Sequence, residues 1–148
     1  MTIIMLCSEQ GNQKALANRI NDKVRLDALV VFKFSGKRLP ILNKFIDKIS
    51  RALNALCTFF IYRKIWFGMV GYYEKKFPQF PIAPSITTSD INDPEVVEFI
   101  VKLKPSLVVV SGTNLLKEPL IEAIQKTGEV VNLHTGISPF VKGGPNCT

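Results

Sequence analysis

The chain reads as a doubly wound, mainly parallel α/β domain of the Rossmann type, and three observations point there. Residues 2–7, 27–32, 107–110 and 129–133 are short, nearly unbroken apolar runs, the pattern of strands covered on both faces. The segments between them repeat apolar residues at helical spacing and carry helix start and stop signals. The last run ends in two polar side chains, Asn132 and His134, just before a glycine- and proline-bearing loop. Open α/β sheets bind their ligands at that end of a strand.

The first run, 2–7, gives way to Ser8-Glu-Gln-Gly-Asn-Gln13 and a helix expected over about 13–21, with Leu16 and Ile20 on one face. The second run, 27–32, closes an opening βαβ unit. From 40 to 62 the apolar residues Leu42, Phe45, Ile46, Ile49, Leu53, Leu56 and Phe60 recur every three or four positions, which predicts one amphipathic helix. A shorter aromatic-rich segment, 65–73, is expected to follow it as a separate piece. Pro78, Pro81 and Pro84 then force extended chain.

Regular α/β patterning returns with Asp93-Pro94-Glu95, a helix start with Asp as N-cap, Pro at the first position and an acid in the first turn. Val96, Val97, Ile100 and Leu103 give its inner face, and Pro105 ends it. After 107–110 a short helix over 118–126 turns Leu120, Ile121 and Ile124 inward, and Gly128 is expected as its left-handed stop. The strand order implied places 2–7 between 27–32 and 107–110, with 129–133 beyond.

At 148 residues the chain has single-domain length with room for one core. Three cysteines, Cys7, Cys57 and Cys147, are odd in number and far apart, which fits a reducing, cytoplasmic setting and no disulfide framework. With one histidine and scattered cysteines, no zinc-type ligand cluster is expected. The apolar stretch 52–62 falls short of the roughly 20 residues that cross a bilayer, so no membrane span is expected.

The net charge of +7 is concentrated: residues 37–76 hold nine basic and two acidic residues, and the remainder of the chain sums to zero. This basic, helical insertion, about 37–77, is longer than a crossover needs. It fits a helical hairpin packed on the sheet edge, an oligomer interface through the 40–62 helix, a basic docking surface or a membrane-surface helix. No recognised RNA-binding motif accompanies it, so nucleic acid is not expected as a partner.

Asn132 offers an amide donor and His134 a group that titrates near neutrality. Extended chain puts both on the same side of the strand, so together they could polarise a carbonyl and move a proton. Asn132-Leu-His134, with Pro139 and Gly143 following, resembles the formyltransferase signature Asn-x-His-x-x-x-x-Pro-x-x-x-Gly. That family contains glycinamide ribonucleotide, methionyl-tRNA and sugar N-formyltransferases. His-Thr-Gly at 134–136 stands where His-Pro-Ser is more familiar. The resemblance covers the βαβ start and 87–148, and not the insertion.

The resemblance implies transfer of a formyl group from N10-formyltetrahydrofolate to an amine, with no metal. Asn132 and His134 would be catalytic, stabilising the oxyanion and taking the amine's proton. The backbone of Thr113, Asn114, Leu115 and Leu116 would line the folate pocket. Gly11, Asn12, Gln13, Thr135 and Gly136 would contact the acceptor, although 11–13 also reads as a plain strand–helix turn. The acceptor would be a sugar nucleotide, another phosphorylated amine or, as in the methionyl-tRNA branch, an aminoacyl-tRNA. The family's third catalytic residue is an aspartate downstream of the histidine, and no aspartate follows His134 here. The chain is therefore expected to be the N-terminal part of a catalytic domain, inactive alone. The alternative is a non-catalytic α/β module that acts through its amphipathic helices.

Overall fold

The computed structural model describes residues 1–34 and 59–133. β1 (Ile3–Ser8) leads into α1 (Gly11–Asn21), and β2 (Ala28–Phe32) completes the opening βαβ unit. Then come α2 (Phe59–Lys76), β3 (Ser85–Thr88), α3 (Pro94–Leu103), β4 (Leu107–Ser111), α4 (Glu118–Gln125) and β5 (Glu129–Asn132). The strands form one sheet in the order β3-β2-β1-β4-β5, and every neighbouring pair is parallel. Fold class and strand order are those expected from the four apolar runs.

β1 sits in the middle, and all six of its residues are buried. Its side chains alternate between two cores. Ile4 and Leu6 join Ala28, Val30, Val108 and Val110 beneath Val96 and Ile100 of α3 and Leu120 and Ile124 of α4. Ile3, Met5 and Cys7 face the other way, with Leu29, Val31 and Val109, beneath Ala17 and Leu16 of α1. Each fully buried aliphatic side chain contributes about 1.5–3 kcal/mol, so this two-faced strand anchors both layers. Burial pushes the Cys7 thiol up to about 12, which makes it an unreactive core group.

The structure departs from sequence expectation at four places. β3 follows the stretch in which Pro78, Pro81 and Pro84 predict extended chain but no strand. With Ile86 as its one large apolar residue it has no apolar run, and it becomes a strand because β2 pairs with it from Leu29↔Ser85 to Phe32↔Thr88. Pro84 lies just outside the ladder, where its carbonyl accepts from Leu29 N at 2.9 Å.

α2 runs unbroken from Phe59 to Lys76, so the end of the expected 40–62 helix and the aromatic segment 65–73 are a single element. No proline interrupts the stretch, and its glycines, Gly68 and Gly71, sit in helix without a break. The remainder of the 40–62 prediction, with its Leu42/Ile49 stripe, lies outside the described residues. α2 packs on α1: a Cβ added to Gly11 would fall 2.5 Å from Glu74 N and 2.7 Å from Val70 O.

Gly128 is not a left-handed stop. The left-handed cap in this half of the molecule is Lys104, at φ 47°, which closes α3. Glycine is required at 128 because a Cβ there would lie 2.4 Å from Pro105 O. Asp93 stands at the α3 N-cap as expected, with Pro94 at the first helical position, but its side chain makes no capping bond. Its carboxylate accepts from the Thr88 hydroxyl instead, tying the helix start to the end of β3.

The glycines of the α1–α2 pair give a paired expectation. Gly11→Ala should destabilise by about 1–3 kcal/mol, because two helix backbones would have to separate. Gly68→Ala, where an added Cβ meets nothing within 4 Å, should stabilise by about 0.5–1 kcal/mol through helix propensity. Urea unfolding of both variants checks this, and equal effects would contradict the packing described.

Candidate functional site

β2 and β3 lie to one side of β1, and β4 and β5 to the other. The crossovers after β1 and β4 therefore diverge and leave a crevice at the strands' C-terminal ends, the standard ligand position in such sheets. The two strands end there in buried serines, Ser8 and Ser111, at 4% and 5% exposure. Ser111 runs into Gly112, whose φ of +68° is a left-handed conformation that suits glycine. A Cβ at Gly112 would stand 3.0 Å from Gln13 Nε2 and 3.3 Å from Ser8 Oγ. Conformation and close approach both demand glycine at this point, and Ser8, Gln13 and Gly112 are thereby drawn together.

α1 opens onto the same crevice. Its N-cap, Gln10, supplies no side-chain cap, and the Gln10 carbonyl takes both the Gln13 and Lys14 N–H groups. The N–H groups of Gly11 and Asn12 have no backbone acceptor among the described residues. Asn12 Oδ1 and Gln13 Oε1 are buried without a partner among them too. An unsatisfied buried polar atom costs about 1–3 kcal/mol, so the helix start carries a polar cost that no partner among the described residues offsets. Lys14 is turned away, paired with Glu74 and donating to Pro78 O.

The opposite wall is a clasp of amides between the β3–α3 and β4–α4 loops. Asp90 Oδ1 accepts from Asn114 Nδ2 at 2.7 Å and from both the backbone N and the Nδ2 of Asn92 at 2.9 Å. Asn114 Oδ1 accepts from Ile91 N, Asn92 Nδ2 donates to Leu115 O, and Asn92 Oδ1 accepts from Lys117 N. The Asn92 backbone bond, the Asn114 and Asn92 side-chain bonds, and then the Lys117 charge hold the Asp90 carboxyl at about 2, below its usual 3.8.

The expected site residues are placed unevenly. Asn132 ends β5, exposed, beside Val110, and Leu133 N continues the ladder to Val110 O at 2.8 Å. It shares Val110's side of the sheet, two strands or about 10 Å from Ser8. Gln13 and the 112–113 turn are brought together at the crevice, while Gly11 is occupied by α2 packing. Asn114 is committed to the clasp, Leu116 packs on the core, Leu115 is 84% exposed, and Thr113 Oγ1 donates to Asn114 O. His134, Thr135 and Gly136 lie outside the described residues.

Sequence reasoning missed Ser8, Ser111, Asp90 and Asn92 as parts of this edge. The serines carried a usable signal, since each is the first polar residue after an apolar strand. Asp90 and Asn92 looked like an ordinary lead-in to a helix, and their partner Asn114 is more than twenty residues away. Compared with models of protein families and with curated proteins, the chain gives no match.

Because the Asp90 carboxyl is held low in the fold, its contribution is fully present above its unfolded value near 3.8 and is lost as pH falls through about 2. Asp90→Asn should therefore be less stable than the parent near neutral pH, and the gap should close toward pH 2. Thermal unfolding of both proteins across that range checks it; a gap independent of pH would show that the carboxylate charge does not hold the loops.

Proposed function

We propose that this domain supplies Asn132 and His134 to the transfer of a formyl group from N10-formyltetrahydrofolate to the amine of a small-molecule acceptor, a sugar nucleotide or another phosphorylated amine, in the cytoplasm, and that these 148 residues, which hold no aspartate after His134, are inactive alone. The observation that carries the proposal is the position of Asn132: the last residue of β5, at the C-terminal edge of a parallel sheet, one strand from the 112–116 loop. The Asn-x-His pair of the sequence begins there, where this sheet type collects its ligands.

The chemistry requires one bond to form and one to break. The acceptor nitrogen attacks the formyl carbon, and the bond from that carbon to the donor's nitrogen is cleaved. The Asn132 amide would donate to the formyl oxygen as negative charge gathers on it. His134 would take the proton released by the attacking amine, and that proton would pass to the donor nitrogen as it leaves. A flat heterocycle read by backbone groups needs a loop held in one shape, and the Asp90–Asn92–Asn114 clasp gives the 112–116 loop that rigidity. The Asn12 N–H at the α1 start, which has no backbone acceptor among the described residues, is suited to a polar, anionic acceptor.

A second reading, an interaction module without catalysis, draws on the exposure of Val130, Val131 and Leu133 along β5. The two separate on donor binding: titration with N10-formyltetrahydrofolate should give saturable binding for the enzyme and none for the module.

Single-turnover kinetics with a panel of amino sugar nucleotides, on a protein that carries an aspartate downstream of His134, tests the roles; the 148 residues alone should give no detectable transfer. His134→Ala and Asn132→Ala should each lower the rate of transfer about a hundredfold or more while changing donor affinity little, because both act on charge that develops in the transition state. The double variant should cost less than the two losses combined. Undiminished transfer in His134→Ala would exclude its catalytic role.

A further inference from the structure

The second face of α2 is used by nothing described above. At 100° per residue, Val70 and the Glu74 backbone, which meet Gly11 of α1, lie on one side. Lys64, Ile65, Gly68, Tyr72, Lys75 and Lys76 lie on the other. Ile65 and Tyr72, two turns apart, are 65% and 58% exposed. The three lysines are exposed as well, and Lys76 Nζ lies 5.9 Å from the Tyr72 ring centre. Gly68 and Gly71 leave the surface between them flat, with open space above each. Glu74, the single acid in the sequence of α2, is on the side toward α1 and is paired with Lys14 there. The outer face is thus apolar and positive at once.

We propose that this face docks the protein on an anionic lipid surface, with α2 lying in the plane of the interface. Charge selects the partner. A second copy would set lysines against lysines, whereas an anionic bilayer attracts each of them by about 1 kcal/mol, or roughly fivefold in affinity. Nucleic acid would satisfy the lysines but leaves the aliphatic Ile65 side chain in water; the headgroup–acyl boundary accommodates both. Tyr72 has the apolar body and polar tip that suit that boundary, and the lysine stems extend past apolar surface to reach phosphates. The same sign of charge continues in sequence through Lys37, Arg38, Lys44, Lys48 and Arg51, with Asp47 as the opposing acid. Contact is peripheral: no helix among the described residues is long and apolar enough to cross a membrane.

Co-sedimentation of the full chain with vesicles of phosphatidylcholine, with and without phosphatidylglycerol, tests the proposal. Binding should require phosphatidylglycerol and weaken with added salt. Replacing Lys64, Lys75 and Lys76 together by Gln should reduce the partition coefficient roughly a hundredfold. Ile65→Ser with Tyr72→Ser, which keeps every charge, should also abolish most of the binding; far-ultraviolet circular dichroism confirms that both variants fold. Absence of binding to the anionic vesicles at low salt would overturn the proposal, as would binding indifferent to both sets of substitutions. Tighter binding of the parent to single-stranded RNA or to an acidic peptide, lost in the same variants, would overturn it and assign the face to that partner.

Discussion

The burial of β1 on both faces is the constraint from which the rest of the molecule follows. Its odd and even residues belong to different cores, and its backbone is paired on both edges, to β2 and to β4. A parallel neighbour on each side cannot be reached by a hairpin, so the chain must cross a face of the sheet each time. Those crossings are the helices that supply the two apolar layers. The same central position divides the winding, sending the chain outward from β1 in two directions, and the crevice at Ser8 and Ser111 results from that division.

What stands at the crevice is then a matter of polar groups that the fold brings close, two of them without a partner among the described residues. Gly112, in its left-handed conformation, lets the Gln13 amide and the Ser8 hydroxyl approach the turn after β4. Across from it, Asp90, Asn92 and Asn114 satisfy one another and leave the loops little freedom. One wall of the edge is therefore rigid and complete, the other rigid and incomplete.

The sheet's borders show a contrasting economy of burial. β5 is exposed along its length, unlike the fully buried β1 and β2. α2 is fastened to α1 by a glycine contact and by the Lys14–Glu74 pair, leaving a positive and apolar side outward. The described end of the segment that holds all of the chain's net charge thus meets α1 through one side of α2.

The sequence alone determined the class of fold and the order of four of its five strands, because a strand buried on both faces has to be written as an apolar run and a crossover helix as a periodic one. It also singled out Asn132, since a polar residue closing such a run is visible without coordinates. β3 was not legible: one isoleucine among hydroxyl residues carries no pattern, and its pairing to β2 is a contact with residues far away in the chain. The continuity of α2 through residues 62–65, the steric need for glycine at 11 and 128, and the clasp of Asp90 with Asn114 were likewise decided by tertiary structure. Each depends on what another segment places against it. Periodicity records how a segment meets the core on average, and does not record which neighbour's backbone or amide arrives at a given atom.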